Sequence, residues 1–438
     1  MVAIRYVNDL GNGHSGYIDA ISGIPVSTIS GQPLSVTAKP EGAAGDAFGR
    51  QRVSEPLTLF DSSHRFSVNG NWNTATAVSG TATFNADQGL IDLDIVTTSG
   101  SYVYRETNKV FPYQPGKSLL VMTSFVMASG DTNLRQRVGY FGANNGIYFQ
   151  QSGDTYGIVK RSSVSGSVVD TVITQDNWNG DKLQGKGTSG YTLEHDKAQL
   201  FWTDIEWLGV GTVRAGFVID GQFIVCHSFN HANIIDSTYM TTAALPVRYE
   251  IEALDTLSAA ATMKEVCATV ITEGGYELRG QSRSAGTIVT SPYTFTTSGV
   301  AYPMVSIRLK TSPNRLDAVV IPNAISFVGQ GNNAVFNWEV VAGGTISGGT
   351  WTTTDSGSSV DYNISGTSIS GGTILAQGYV AATNQGSTAV ELTTADLFKY
   401  QLQRNSFTSS PVEITFVVKS KVSNDTGYAS IDWEEITT

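Results

Sequence analysis

The sequence predicts an all-β protein, and three observations carry that expectation. No long amphipathic helix is legible anywhere. Short runs of alternating apolar and polar residues recur from about Phe48 to the last residue, separated by Gly, Asn, Asp, Ser and Thr. The stretch Val213 to Val225 shows the pattern at its clearest, with two strand-like segments flanking Asp220-Gly221, a dipeptide whose residues both tolerate the positive φ of a tight hairpin.

Composition agrees with this class. Hydrophobic residues make up 40% of the 438 and charged residues 15%, where roughly a quarter is usual. Gly, Ser, Thr and Asn take the place of the missing charge, as exposed sheet faces and turns require. The length suits two domains plus an accessory segment. A formal charge of −11 argues against wrapping nucleic acid, which needs clustered Lys and Arg. No apolar stretch approaches the roughly 20 residues of a membrane span. Met1 to Leu10 shows no secretory signal, so synthesis in a cytoplasm is expected.

Taken in order, residues 1–47 are rich in Gly and Pro and poor in aromatics, and read as an extended N-terminal docking arm. Ile18, Ile21, Ile24, Val26 and Ile29 are spaced apolar pegs for a neighbouring subunit. Residues 48–279 form the first domain. Its expected strands are Leu90 to Val96, Ser118 to Met127, Arg137 to Phe141, Gly146 to Gln151, Gly157 to Arg161, Gln199 to Leu208, Thr212 to Asp220, Gln222 to Phe229, Pro246 to Ala253 and Thr262 to Thr272. Many short antiparallel strands point to a β-sandwich or jelly roll. Residues 280–438 form a second, C-terminal β-sandwich, with alternation at Val305 to Lys310, Ala334 to Val341, Val412 to Val418 and Tyr428 to Ile436. Gly343 to Gly372 reads as loops or edge strands, and no repeat period stands out.

Candidate sites are few. On a strand, Trp202, Asp204 and Glu206 share one face, where two carboxylates beside an aromatic ring would suit a sugar. The bland alternative is a solvent-facing polar strip. His227 and His231 are two potential metal ligands, with His195 or Asp236 as guesses for a third, but zinc patterns are usually tighter. Asp176 to Asp181 lacks the Glu of a calcium loop and reads as a turn. Tyr102, Tyr104, Phe111, Tyr113, Tyr140, Phe141, Tyr148 and Phe149 alternate within strands, so packing is their expected role. Cys226 and Cys267 read as buried reduced thiols rather than a disulfide. No catalytic residue, metal site or cofactor is expected.

The order of a Trp-rich strand, Phe201 to Trp207, then a strand, an Asp-Gly turn and another strand resembles the centre of concanavalin-like lectin and laminin-G jelly rolls. A second resemblance covers more of the chain. Ala47-Phe48-Gly49-Arg50-Gln51-Arg52-Val53-Ser54-Glu55-Pro56-Leu57-Thr58-Leu59-Phe60-Asp61-Ser62-Ser63-His64-Arg65 is similar to a block shared by virion structural proteins of tailed phages, notably of marine and cyanobacterial hosts. Arg135 to Phe141 with Asn145 to Phe149, Gly216 to Gly221, His231 to Asn233, Leu245 to Ile251 and Ala429 to Glu435 follow in the same order. None is a catalytic motif.

That resemblance implies a non-enzymatic virion component. It would be a homo-oligomeric tail, baseplate or neck fibre or adaptor subunit, with other virion proteins as partners. A capsid decoration or head-fibre protein is the close alternative. A module that binds or cleaves host surface glycan is the alternative from another class. In this reading Arg50, Arg52, Glu55, Asp61 and Arg65 make ion pairs that fix the arm's exit from the jelly roll.

Overall fold

A computed structural model describes residues 2–7, 13–18, 56–274, 280–383, 386–387, 390–392 and 400–437. Among these the regular structure is β, apart from a 3₁₀ turn at Gln175–Asn177. The protein is all-β and built of sandwiches. The chain divides into two units, Met1–Glu41 and Gly42–Thr438.

In the first unit, Val2–Val7 pairs antiparallel with Gly13–Ile18, from Val2 opposite Ile18 to Val7 opposite Gly13. The expected extended arm therefore begins with a two-stranded ladder. Val2, Ile4, Tyr6 and Val7 are β-branched and aromatic residues that favour a strand. Residues 19–47 lie outside the described residues, and with them Ile21, Ile24, Val26 and Ile29.

The second unit holds two main hydrophobic cores. The first lies between two antiparallel sheets. One has seven strands, in the order Val169–Thr174, Thr155–Ser162, Gly146–Ser152, Leu134–Phe141, Val247–Ala253, Tyr102–Thr107 and Trp72–Ala77. The other runs Gln222–Phe229, Val213–Ile219, Gln199–Ile205, Leu119–Val126, Ala261–Thr272, Leu90–Ile95 and Thr81–Asn85, with Leu57–Ser63 also paired to Ala261–Thr272. Alternate residues of facing strands enter the core, for example Val138, Tyr140, Tyr249 and Ile251 from one sheet and Phe125, Phe201, Phe217 and Val270 from the other.

The Asp-Gly hairpin forms as expected. Asp220 and Gly221 take φ of 49° and 75°, and Ile219 faces Gln222 across a two-residue turn.

The second core runs from Ala285 to Trp433. One of its sheets has Asp425–Thr437 between Gln281–Gly286 and Val319–Gln330, so the chain's end is stitched into the middle of a sheet. The other centres on Tyr302–Leu309, Ile414–Ser420 and Ala334–Ala342. The glycine-rich stretch supplies short pieces such as Thr345–Ser347 and Ser368–Ser370.

Candidate functional site

The strand Gln199–Ile205 keeps the expected alternation. Phe201 and Ile205 enter the first core. Trp202, Asp204 and Glu206 take the opposite face, yet each is 0% exposed. The expectation of a sugar-facing or solvent-facing strip is therefore corrected. The Trp202 indole N–H donates to the Phe217 carbonyl at 3.3 Å, and its ring meets Phe223 edge-on. Asp204 is ion-paired with Arg214, directly opposite on the next strand. The Tyr113 hydroxyl lies 3.5 Å from Glu206. Alternation reveals which face a residue occupies and says nothing about what covers it.

The same logic governs the outer face of the seven-stranded sheet. Arg248, Glu250 and Glu252 project from one face of Val247–Ala253 and meet Glu106, Arg137 and Arg135 on the flanking strands. Burial would raise the Glu250 carboxyl pKa, but the guanidiniums of Arg137 and Arg248 hold it below the usual range. The Arg248 guanidinium also lies 3.9 Å from the Tyr104 ring centroid. Nearby, burial pushes the Tyr148 phenol up to about 12, while Arg161 clamps Asp170 with two 2.8 Å hydrogen bonds.

Inside the sandwich a polar brace joins the two sheets. Arg105 donates from Nε to Glu265 at 2.6 Å and from Nη1 to Thr74 at 2.7 Å. His64 lies 2.9 Å from the other Glu265 oxygen. Its Nδ1 accepts the Asn69 backbone N–H, so Nε2 carries the hydrogen that Glu265 receives. Trp72 to Ser62 and the Tyr249 hydroxyl to the Cys267 carbonyl repeat the bridge from sheet to sheet.

A joint connects the two sandwiches. The segment 400–412 is tied to the second by the Leu402–Val320 bridge. It reaches the first through Arg404 to the Ala244 carbonyl, 3.1 Å, and Ser406 to the Thr107 carbonyl, 2.7 Å. Phe407 meets Tyr104 with centroids 5.3 Å apart, and Arg404 is held by Asp317 at 2.8 Å. Clefts of about 570 and 470 Å³ flank this joint.

The remaining candidates are placed as follows. The His227 ring is T-shaped against Phe229, and its Nδ1 accepts the Asn179 N–H. His231 stacks on Tyr239 and His195 on Tyr156. Burial lowers all three histidines to about 4. No group of three metal-binding side chains occurs among the described residues. Asp176 to Asp181 is a turn in which Asp181 accepts the Leu183 and Ser189 N–H groups. Of the eight aromatics, Tyr102 and Tyr104 are half-buried and stack on each other, and the other six are buried.

Cys226 and Cys267 are free thiols. Cys226 is buried as expected, whereas Cys267 is exposed, which corrects that part of the expectation. They lie four strands apart in one sheet, roughly 19 Å at the usual spacing and beyond disulfide reach.

Arg50, Arg52 and Glu55 lie outside the described residues. Asp61 and Arg65 are both exposed and do not pair with each other. Arg65 instead lies over Phe66, 5.2 Å from its centroid. Sequence reasoning missed the brace and the joint. Key partners stand 160 residues apart, as Arg105 and Glu265 or Ala244 and Arg404 do, and no local spacing signals them.

No protein-family model matches the sequence. No curated protein aligns with it significantly. Solved structures similar to the chain include the carbohydrate recognition domain of Emp47p, at 9% identity and a TM-score of 0.32, covering 49% of this chain and 96% of that one. Another is arcelin-5, a lectin-like defence protein from Phaseolus vulgaris, at 8% and 0.29, covering 50% and 98%. A third is the CBM2 module of the evolved Dit of Lactobacillus casei BL23 phage J-1, at 5% and 0.31, covering 51% and 99%.

Proposed function

We propose that the protein is a non-enzymatic structural subunit of a tailed-phage virion, acting as an oligomeric tail, baseplate or neck fibre or adaptor. The observation that supports this reading is where the virion-like sequence blocks fall. Arg135 to Phe141, Asn145 to Phe149 and Leu245 to Ile251 lie on adjacent strands, and the first and third contribute Arg135, Arg137, Arg248 and Glu250 to one cross-strand charge ladder. The described part of the first block supplies Phe60 to the core and Ser62 and His64 to the inter-sheet brace. The shared residues thus build a stiff frame, and the joint at Arg404 to Phe407 extends it from one sandwich to the other. A part that transmits load needs such stiffness.

The test is composition of the particle. Density-purified virions, probed by peptide mass spectrometry and by antibody labelling in electron micrographs, should contain this chain in multiple copies at the tail. Labelling on the head would favour the decoration or head-fibre reading. Absence from particles, or turnover of a polysaccharide panel by the free protein, would overturn the proposal.

A further inference from the structure

Lys160 stands on Thr155–Ser162, opposite Thr171 of the edge strand Val169–Thr174. It is half-buried, and among the described residues no carboxylate pairs with it. Its Nζ lies 3.1 Å from His231 Nε2 and within about 6 Å of the Phe229 and Tyr239 ring centroids. The His231 tautomer follows from its surroundings. A carbonyl only accepts, so Nδ1 carries the hydrogen it gives to Gly211 at 2.7 Å. Nε2 is then a lone pair, and one of the three ammonium hydrogens satisfies it. The other two are unspent.

The buried Tyr239 ring stacks on His231 at 3.9 Å and so fixes the imidazole that holds Lys160. Lys160 and Tyr239 line a single open cleft of about 1060 Å³. Ser162, Thr171, Asn233 and Ser237 supply its hydroxyl and amide groups, and Asp236 one carboxylate. Val169 and Ile234, 51% and 69% exposed, give it apolar walls.

We infer that this cleft binds a carboxylated saccharide. The sugar's carboxylate takes the place of the counter-ion that Lys160 lacks and accepts from its two free ammonium hydrogens. Its hydroxyl groups meet the hydroxyl and amide groups of the walls, and the C–H face of the ring packs on Val169 and Ile234. An acidic peptide would use the same cation and could bond the walls through its amides, but a run of carboxylate side chains brings no apolar ring face to Val169 and Ile234. The inference goes beyond the virion reading, because such binding is measurable on the isolated protein wherever it resides.

The experiment titrates the full chain calorimetrically with oligogalacturonate, oligoalginate and a sialylated oligosaccharide. The methyl-esterified oligogalacturonate and an oligoglutamate serve as comparisons. At least one acid sugar should bind, and esterification should weaken an oligogalacturonate complex by about tenfold or more. Lys160→Gln should lose affinity for the bound sugar to a similar degree and Lys160→Arg should keep part of it. Ile234→Glu, at an exposed position where misfolding is not at issue, should also weaken binding by adding a like charge to the wall. Failure of all three sugars at millimolar concentration, undiminished binding by both Lys160→Gln and Ile234→Glu, or preference for oligoglutamate would overturn the inference.

Discussion

Glu265 receives hydrogen bonds from both Arg105 and His64 while 0% exposed, so one carboxylate compensates a guanidinium carried by the facing sheet. Removing one partner of a buried pair leaves the other charge stranded, which typically costs about 3–5 kcal/mol. Glu265→Ala should therefore lower the urea midpoint by a matching amount. Glu265→Met combined with Arg105→Met should recover part of the loss, because an apolar pair of similar size is often tolerated there. A cost below about 1 kcal/mol for the single change, set against the buried-pair expectation, would remove the brace from the account.

Histidines add a pH dependence at the same scale. His195, His227 and His231 have folded-state values near 4 because burial disfavours the imidazolium, against about 6.5 unfolded. Between those values the unfolded chain binds more protons, so stability present above pH 6.5 is lost as the pH falls toward 4. Urea midpoints measured from pH 7 to pH 4 should fall, and His231→Gln should flatten part of the slope.

At the scale of elements, Gly146 opens the strand paired with Leu134–Phe141, at φ 152°. A Cβ there would sit 2.1 Å from the Phe141 Cβ and 2.7 Å from the Tyr140 carbonyl oxygen. Relief would require the two strands to part. Gly146→Ala should cost at least about 2 kcal/mol, whereas Gly70→Ala, with no heavy atom within 4 Å, should stay within about 0.5 kcal/mol of neutral. Thermal melts of the two variants decide between them, and equal melting temperatures would contradict the close-approach argument.

Which elements were legible follows from similar detail. Gln222–Phe229 was readable to the residue because a turn dipeptide marks one end and apolar residues alternate behind it. Tyr102–Thr107 was legible only in the alternation of Tyr102 and Tyr104, because Arg105 and Glu106 are buried as ion-paired residues and break the apolar pattern. Val319–Gln330 was hidden by Pro322, which the fold accommodates with a register shift beside it. For the candidate sites, the face shared by Trp202, Asp204 and Glu206 was legible. Its cover was not, because that depends on strands and loops remote in sequence.

For the whole molecule, the question is whether two cores behave as one body. Each sandwich has its own cluster of buried residues, and the joint between them is small: Arg404 to Ala244, Ser406 to Thr107, Phe407 on Tyr104, and clefts on either side. Interfaces of this polar kind usually permit relative motion unless specific contacts pin them. Arg404 and Phe407 hold the pinning positions. The guanidinium ties Asp317 of one sandwich to a carbonyl of the other, and the phenyl ring docks on Tyr104, itself stacked under Arg248. Replacing both by Ala removes these ties while touching neither core. Scanning calorimetry of the native chain should show one cooperative transition, and the double variant should separate into two with each core's melting enthalpy largely retained. Small-angle scattering of the same variant should report a broader range of intramolecular distances. If the variant still melts in a single transition with an unchanged scattering profile, stiffness arises elsewhere, and the frame proposed for a virion subunit loses its link between the halves.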